Sequence, residues 1–320
     1  MFMPALHRIL SVAVVIGCSM FFSALGCAAS GTDPLPPTPV APGVFAFLGA
    51  AEAPSPANDG LVSNQGLIVG DEGVIVIGTG TSHAHGLRLL QASAQLTSKP
   101  IVLAINAYAG PEHVLGNTAF ARRGVSILAH RDTDAFMVQN CDRCIRNLVS
   151  DIGEPPLAET ALQRPTQLIE QTTRLDVGGR RIELLHFGWA HQPGDIAVFD
   201  PSSGVLFAGA LVSLDVLPDA HTADVRGWLD ALQQLQRLPI TTVVPGRGPV
   251  APPQRIDEVR EYLTALTAAV DAAYAKGVGI RDAARSAEVP RFRHWAMYER
   301  LHARNVHHLY LKREARDLAQ

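Results

Sequence analysis

Imidazole and carboxylate side chains, with which proteins commonly bind zinc, stand side by side at Glu112 and His113 and recur at His191. A catalytic zinc ion takes three protein ligands and a water molecule. These three side chains could therefore hold one metal ion, or form a hydrogen-bonded polar group without a metal. Further histidines that a neighbouring loop could bring to them are His83, His85 and His221. The pair His83 and His85 is by itself more typical of surface groups than of ligands.

Arg247 and Tyr108 could serve a binding pocket in other ways. A guanidinium can bind a carboxylate through two parallel hydrogen bonds, which would make the pocket an anion site. Arg247 could instead pair with Glu112, because a charged group in a cleft needs a partner. Tyr108 could donate a hydrogen bond or a proton, or it could only fill space.

Cys141 and Cys144 are the two cysteines of the predicted folded body and form a C-x-x-C pair. In an oxidising compartment such a pair is more often a disulfide than two thiols, so we expect a structural disulfide. A redox-active pair is an alternative, since Arg143 between them could lower a thiol pKa. Metal binding is another, although two thiolates do not complete a tetrahedral site.

Composition and charge indicate a globular protein without a nucleic-acid partner. Of the 320 residues, 47% are hydrophobic and 18% charged, which excludes a disordered chain. The formal net charge of -3 supplies no field that would attract phosphates.

Residues 1–29 are predicted to be an export signal, because Arg8 precedes an apolar run that ends in small residues. The run is about as long as a membrane span, so an uncleaved anchor is the alternative. Residues 24–27 approximate a lipoprotein signal, in which case Cys27 would carry the lipid. In either case the mature chain is expected outside the cytoplasm, as a periplasmic protein, with no other membrane contact. The proline-dense residues 30–42 are predicted to be a linker.

Apolar runs bounded by turn residues predict an α/β domain over residues 43–253. Strands are predicted at 44–48, 66–69, 74–77, 101–105, 182–185, 196–199, 205–208 and 241–244. Helices are predicted at 85–96 and 225–235. Two such αβ halves with antiparallel edges predict a four-layer αββα sandwich. Residues 254–320 are predicted to be a helical cover, with helices at 255–276, 280–287 and 294–318 and no chemistry of their own.

Five loop segments resemble those in which metallo-β-lactamase-fold hydrolases carry their chemistry, in matching order over about residues 43 to 250. They are 64–73, 106–117, 190–195, 206–210 and 244–249. The cysteine pair, Gly227-Trp228-Leu229 and Ala303-Arg304-Asn305-Val306 with Tyr310 most resemble the zinc metallohydrolase-like proteins of quinoprotein relay systems. Those proteins accompany periplasmic quinoprotein dehydrogenases and their cytochromes, which the resemblance implies as partners.

The family's first loop, H-x-H-x-D-H, supplies four ligands for two zinc ions that share a hydroxide. The resemblance places Tyr108 and Gly110 at its first two histidines and Glu112 at its aspartate, and only His113 is unchanged.

The later positions are also altered. His191 keeps its histidine, while Ala210 stands at the bridging aspartate, Arg247 at the last histidine and Gly78 at an aspartate that orients the first loop. Arg247 adds a cation that stays protonated and repels Zn²⁺. The resemblance therefore predicts the fold together with a degenerate zinc site, holding no zinc or one residual ion.

The expectation is a weakened or non-catalytic accessory or binding protein, with a small anion as a potential ligand of the cleft. The alternative is a metal-dependent hydrolase of an ester, lactone or thioester that uses Glu112, His113 and His191. A thiol-disulfide protein using Cys141 and Cys144 is a third interpretation.

Overall fold

A computed structural model of the protein describes Met1 and residues 33–319. Apart from Met1, the predicted export signal lies outside the described residues, and so does Cys27. Among the helices of the described chain, none is both long and apolar enough to span a bilayer.

Seven strands form the first sheet, and their order across the sheet is their order along the chain. They are β1 (Thr38–Ala41), β2 (Val44–Phe47), β3 (Gln65–Val69), β4 (Val74–Ile77), β5 (Ile101–Asn106), β6 (Ser126–His130) and β7 (Gln167–Ile169). Strands β1 to β4 pair antiparallel and β4 to β7 pair parallel. The sequence of β4, Val-Ile-Val-Ile, is buried on both faces, as expected for a central strand with a layer on each side.

Five strands form the second sheet, in the order β12-β11-β10-β9-β8. They are β8 (Thr173–Val177), β9 (Arg180–Leu185), β10 (Ala197–Asp200), β11 (Val205–Ser213) and β12 (Thr242–Arg247). Strands β11 and β12 are parallel and the other neighbours are antiparallel.

Helices cover the outer face of each sheet. The α-helices of the described residues are α1 (His83–Leu96), α2 (Pro111–Val114), α3 (Asn117–Ala121), α4 (Arg131–Ile152), α5 (Val225–Leu235), α6 (Ile256–Ala275), α7 (Ile280–Ser286) and α8 (Tyr298–Leu318). Helix α1 begins at a conventional cap, where the Ser82 hydroxyl accepts a hydrogen bond from the His85 amide.

The side chains of β4 alternate between two apolar cores. Ile75 and Ile77 belong to the core between the sheets, with Val198 and Phe207 of the second sheet. Val74 and Val76 pack on the opposite face, in the core that includes residues of α1 and α3. A third core joins the second sheet to α5, α6 and α8. This arrangement is the predicted four-layer αββα sandwich with C-terminal helices, and the fold prediction is confirmed.

The predicted linker is wrong over part of its length. Within residues 30–42, Thr38–Ala41 is a strand that pairs with β2, and Leu35 is buried against the first sheet. Gly43, with φ of 72°, makes the turn between the two strands. Strand β1 lies at the sheet edge, where a proline such as Pro39 removes no necessary hydrogen bond.

Strands β6, β7 and β8 and helix α4 are absent from the sequence prediction. Strands β7 and β8 are short and half-exposed, without a continuous apolar run. Helix α4 does carry apolar residues at helical spacing, but polar and charged residues outnumber them.

The C-terminal helices pack into the core of the second sheet, and α8 also faces the cleft described below. Asn305 of α8 is fully buried. Its side-chain oxygen accepts from the Ala220 amide, and its nitrogen donates to the Pro218 carbonyl and the Tyr262 hydroxyl. Asn305 thereby joins α8 to α6 and to the loop after β11.

We expect Asn305→Ala to lower the free energy of unfolding by about 1–3 kcal/mol, because it leaves buried polar groups without partners. Urea denaturation followed by circular dichroism measures this loss. The matched control is His307→Ala, an exposed position on the same helix, which should change stability little. Equal stability of the two variants would contradict the structural role of Asn305.

Candidate functional site

The loops that follow strands of both sheets meet around one cleft of about 630 Å³. The loop after β5 supplies Tyr108 and Glu112, the loop before β10 supplies His191, and the end of β12 supplies Arg247. The structure therefore brings these four predicted residues together. His113 lies beneath Tyr108 and does not line the cleft.

Tyr108 lies at the centre of the first loop. Its ring stacks on the His113 imidazole with 4.4 Å between centroids, and its hydroxyl donates to Oε1 of Glu112 at 3.0 Å. Burial, followed by the Glu112 charge, raises the pKa of Tyr108 well above its ordinary value. Tyr108 is therefore a neutral hydrogen-bond donor that holds Glu112 in place.

His113 is buried and neutral. Neither ring nitrogen has a hydrogen-bond partner, and burial lowers the pKa of His113 to about 3. The Tyr108 ring covers one of its faces. This imidazole is thus buried with both of its polar atoms unsatisfied, which is unusual for a core group.

His191 is in a different environment, beside a carboxylate. Its Nδ1 lies 3.5 Å from Oδ1 of Asp195, and its ring meets the edge of Trp228 at 5.3 Å. Burial on its own would lower the pKa of His191, but the combined effect of the carboxylates, chiefly Asp195, raises it. Asp195 is held by the amide of Gln192, which donates to its Oδ2.

Arg247 does not form the ion pair with Glu112 that was one interpretation of the sequence. Its Nη2 donates to the Glu52 carbonyl, and its Nε is buried without a partner. Glu112 is instead engaged by the Tyr108 hydroxyl. Burial is the main cause that lowers the pKa of Arg247 below its ordinary value.

The donors present do not fit the zinc pair that the first loop would otherwise hold. In the described part of the chain, no three His, Cys, Asp or Glu side chains come together as a metal site. A Cβ on Gly110 would lie 2.3 Å from Cε2 of Tyr108, and a Cβ on Gly78 would lie 2.5 Å from Cε1 of His113. The space for a ligand side chain at Gly110 and for the orienting aspartate at Gly78 is thus already filled by the rings of Tyr108 and His113.

The other candidate histidines divide into two groups. His83 and His85 lie on α1 and do not line the cleft. His83 contacts Arg122, and Nδ1 of His85 accepts from the Thr81 amide. His221 does line the cleft, where its Nδ1 contacts Oδ1 of Asp219 at 2.9 Å.

The structure describes Cys141 and Cys144 as free thiols, so the expected disulfide is not formed in it. Both lie one turn apart inside α4, whose regular backbone sets the separation of their Cβ atoms. A thiol-to-thiol hydrogen bond is the main cause that lowers the pKa of Cys144 and raises that of Cys141. Cys144 lines the cleft and Cys141 is buried.

Several cleft residues were not predicted from the sequence. Helix α8 and the segment before it contribute Met297, Arg300 and Arg304, and the loop after β11 contributes Asp219. Arg300 and Arg304 are four residues apart and hence on one helical face, the signal by which they could have been found. The C-terminal region thus takes part in the cleft, contrary to the prediction that it carries no chemistry.

We expect His85 to make the protein less stable in acid. Burial and the Arg88 charge lower the pKa of His85 from 6.5 to about 3. Below pH 6.5 the unfolded chain takes up a proton on His85 that the folded chain does not, so stability falls as the pH decreases. Between pH 7.5 and 5 this one histidine should account for about 2 kcal/mol of the loss.

Urea denaturation at both pH values tests this expectation. His85→Gln should lose about 2 kcal/mol less than the wild type on acidification. The matched control is His294→Gln, at an exposed position, which should follow the wild type. If His85→Gln lost as much stability on acidification as the wild type, the expectation would be wrong, because His85 would then have the same pKa in the folded and the unfolded chain.

Comparisons with known proteins agree with this fold. A Linear primary-alkylsulfatase from Pseudomonas sp. (strain ATCC 19151) is 23% identical, over 60% of this chain and 43% of that protein. The chain thus spans less than half the length of that curated relative.

Solved structures with the same architecture include a metallo-beta-lactamase from Pontibacter korlensis, with a TM-score of 0.59 and 21% identity over 72% of this chain and 99% of that one. TMB-1 gives a TM-score of 0.58 and 17% identity over 72% and 97% of the two chains. At these identities the likeness shows the fold alone.

The family model described as "Metallo-beta-lactamase superfamily" matches residues 58–247, more than half of the chain. The chain therefore belongs to the metallo-beta-lactamase superfamily.

Proposed function

We propose that this chain is a binding or accessory protein of the superfamily that does not work through a zinc pair. One observation carries the proposal: the Tyr108 ring and the Arg247 guanidinium stand in the loops where the family's histidines would converge. A guanidinium is a permanent cation, and its repulsion opposes a dication in the same cleft.

The environments of the three remaining candidate ligands support the same proposal. His113 is covered by Tyr108, and Glu112 accepts the hydrogen bond of the Tyr108 hydroxyl. His191 lies apart from these two groups, with its Nδ1 beside Oδ1 of Asp195 at 3.5 Å. Glu112 and His113 would have to change their contacts with Tyr108 before they could share a zinc ion with His191.

Hydrolysis by a residual mononuclear site is the alternative. The named relatives, an alkylsulfatase and beta-lactamases, are hydrolases and favour it as analogy at the level of the fold. The arrangement of Glu112, His113 and His191 argues against it, because the three side chains do not converge on one point.

Zinc binding distinguishes the two proposals directly. Protein incubated with excess zinc and then desalted should retain well under one ion per chain, since a zinc site normally needs three protein ligands. Elemental analysis by mass spectrometry gives the ratio of zinc to protein. A tightly held, stoichiometric ion would overturn the proposal.

A variant with the family's ligands restored is the positive control for this measurement. It combines Tyr108→His, Gly110→His, Glu112→Asp, Ala210→Asp and Arg247→His, and it keeps Gly78, where a Cβ would lie 2.5 Å from Cε1 of His113. Replacing Tyr108 also removes the ring that a Cβ at Gly110 would strike. Zinc retention by this variant but not by the wild type would support the proposed loss of the site.

We further propose that the mature chain acts outside the cytoplasm, beside a periplasmic quinoprotein dehydrogenase or its cytochrome. The support is the signal-like residues 1–29 and the resemblance of the Gly227-Trp228-Leu229 and Ala303–Val306 segments. Fractionation of a bacterium that expresses the full chain should place it in the periplasm, or in the membrane if Cys27 carries a lipid. Recovery from the cytoplasm alone would contradict export.

A further inference from the structure

Two guanidinium groups, those of Arg247 and Arg300, face the same cleft without a carboxylate of their own. Arg247 donates to a backbone carbonyl and keeps a buried, unpartnered Nε. Neither arginine takes part in an ion pair among the described residues. Burial is the main cause that lowers the pKa of Arg247; the charges of Glu112 and Asp219 act against it, and the Arg300 charge adds to it. Two like charges in one cleft are stabilised by an anion between them.

Two of the acidic groups that line the cleft are already engaged. Asp219 pairs with His221 and with Arg304, at 2.9 Å in each case. Glu112 accepts from the Tyr108 hydroxyl. Arg247 and Arg300 are therefore cations of the cleft that remain available to a ligand.

The charge of the lining favours a ligand with one negative charge. The four arginines that line the cleft are Arg143, Arg247, Arg300 and Arg304, and the three carboxylates are Glu112, Asp151 and Asp219. The second negative charge of a dianion such as a phosphate monoester would be attracted by the arginines but also repelled by these carboxylates. A planar carboxylate matches the fork of N–H donors on a guanidinium.

The size and the apolar walls of the cleft favour an organic molecule. Its volume of about 630 Å³ is far more than an inorganic anion fills and is ordinary for a small-molecule site. Apolar side chains from several elements line it: Val62, Phe136, Leu148, Leu217, Met297 and Leu301. They would cover the hydrocarbon part of a ligand whose charged end meets the arginines.

We propose that the cleft binds an organic carboxylate with one negative charge, the carboxylate between Arg247 and Arg300 and the apolar part against Leu217 and Leu301. This inference rests on the proposed function, because a zinc pair would occupy the space that the carboxylate needs.

Octanoate is the probe, and its binding to the full mature chain is measured by isothermal titration calorimetry below its micellar concentration. We expect octanoate to bind and octan-1-ol, which has the same chain without the charge, to bind at least tenfold more weakly, as about 1.5–3 kcal/mol per charged hydrogen bond implies. Acetate, which has the charge without the chain, should also bind much more weakly. Equal binding of octanoate and octan-1-ol would overturn the role of the arginines.

Two variants test the arginines separately. Arg247→Met and Arg300→Met should each weaken octanoate binding by about tenfold or more, since each removes a charged hydrogen bond. Arg300 is exposed, so its replacement leaves the fold intact even if Arg247→Met is unstable. Arg123→Met, an exposed arginine outside the cleft, is the matched control and should bind octanoate like the wild type. Unchanged affinity in both Arg247→Met and Arg300→Met would overturn the proposal.

Octyl sulfate and octyl phosphate test the head group. Tighter binding of either than of octanoate would overturn the choice of a carboxylate, and no binding of octanoate would overturn the proposal as a whole. Zinc content is measured on the same preparation. If the protein is free of zinc and does not bind octanoate, this inference alone is refuted. If it holds stoichiometric zinc, the proposed function on which the inference rests is refuted.

Discussion

The stack of Tyr108 on His113 determines what the cleft can do. An aromatic ring lies on the imidazole and donates to Glu112, so one side chain buries one candidate ligand and engages another. Gly110 and Gly78 are then required, because a side chain at either position would collide with these two rings. A set of loops that holds metal in other proteins of this fold is filled in this chain by packed side chains.

The fold explains why a cleft lies between the loops of the two sheets. Its walls come from the ends of strands β5, β11 and β12, which are fixed by parallel pairing and by the apolar core between the sheets. Helix α8 completes the wall and is tied down by the buried side chain of Asn305. A cavity lined by apolar side chains and by the unpaired cations Arg247 and Arg300 therefore remains among the described residues.

The architecture was predictable because buried strands such as β4 are nearly pure Val and Ile, and because the loop segments keep their order. Strand β1 was not predictable, because the prolines around it are typical of a linker. Only its pairing with β2 in the structure reveals it. The grouping of Tyr108, Glu112, His191 and Arg247 followed from resemblance. The resemblance did not predict that Arg247 and Glu112 form no ion pair, nor that Arg300 lines the cleft. Both depend on how side chains from distant elements meet.

A crystal grown with excess zinc and measured at the zinc absorption edge tests the central claim most directly. The anomalous difference map should show no ordered peak between Glu112, His191 and Arg247, with the Tyr108 ring still stacked on His113. A well-occupied peak coordinated by Glu112, His113 and His191 would contradict the account, because it would require the stack to open and the three side chains to converge.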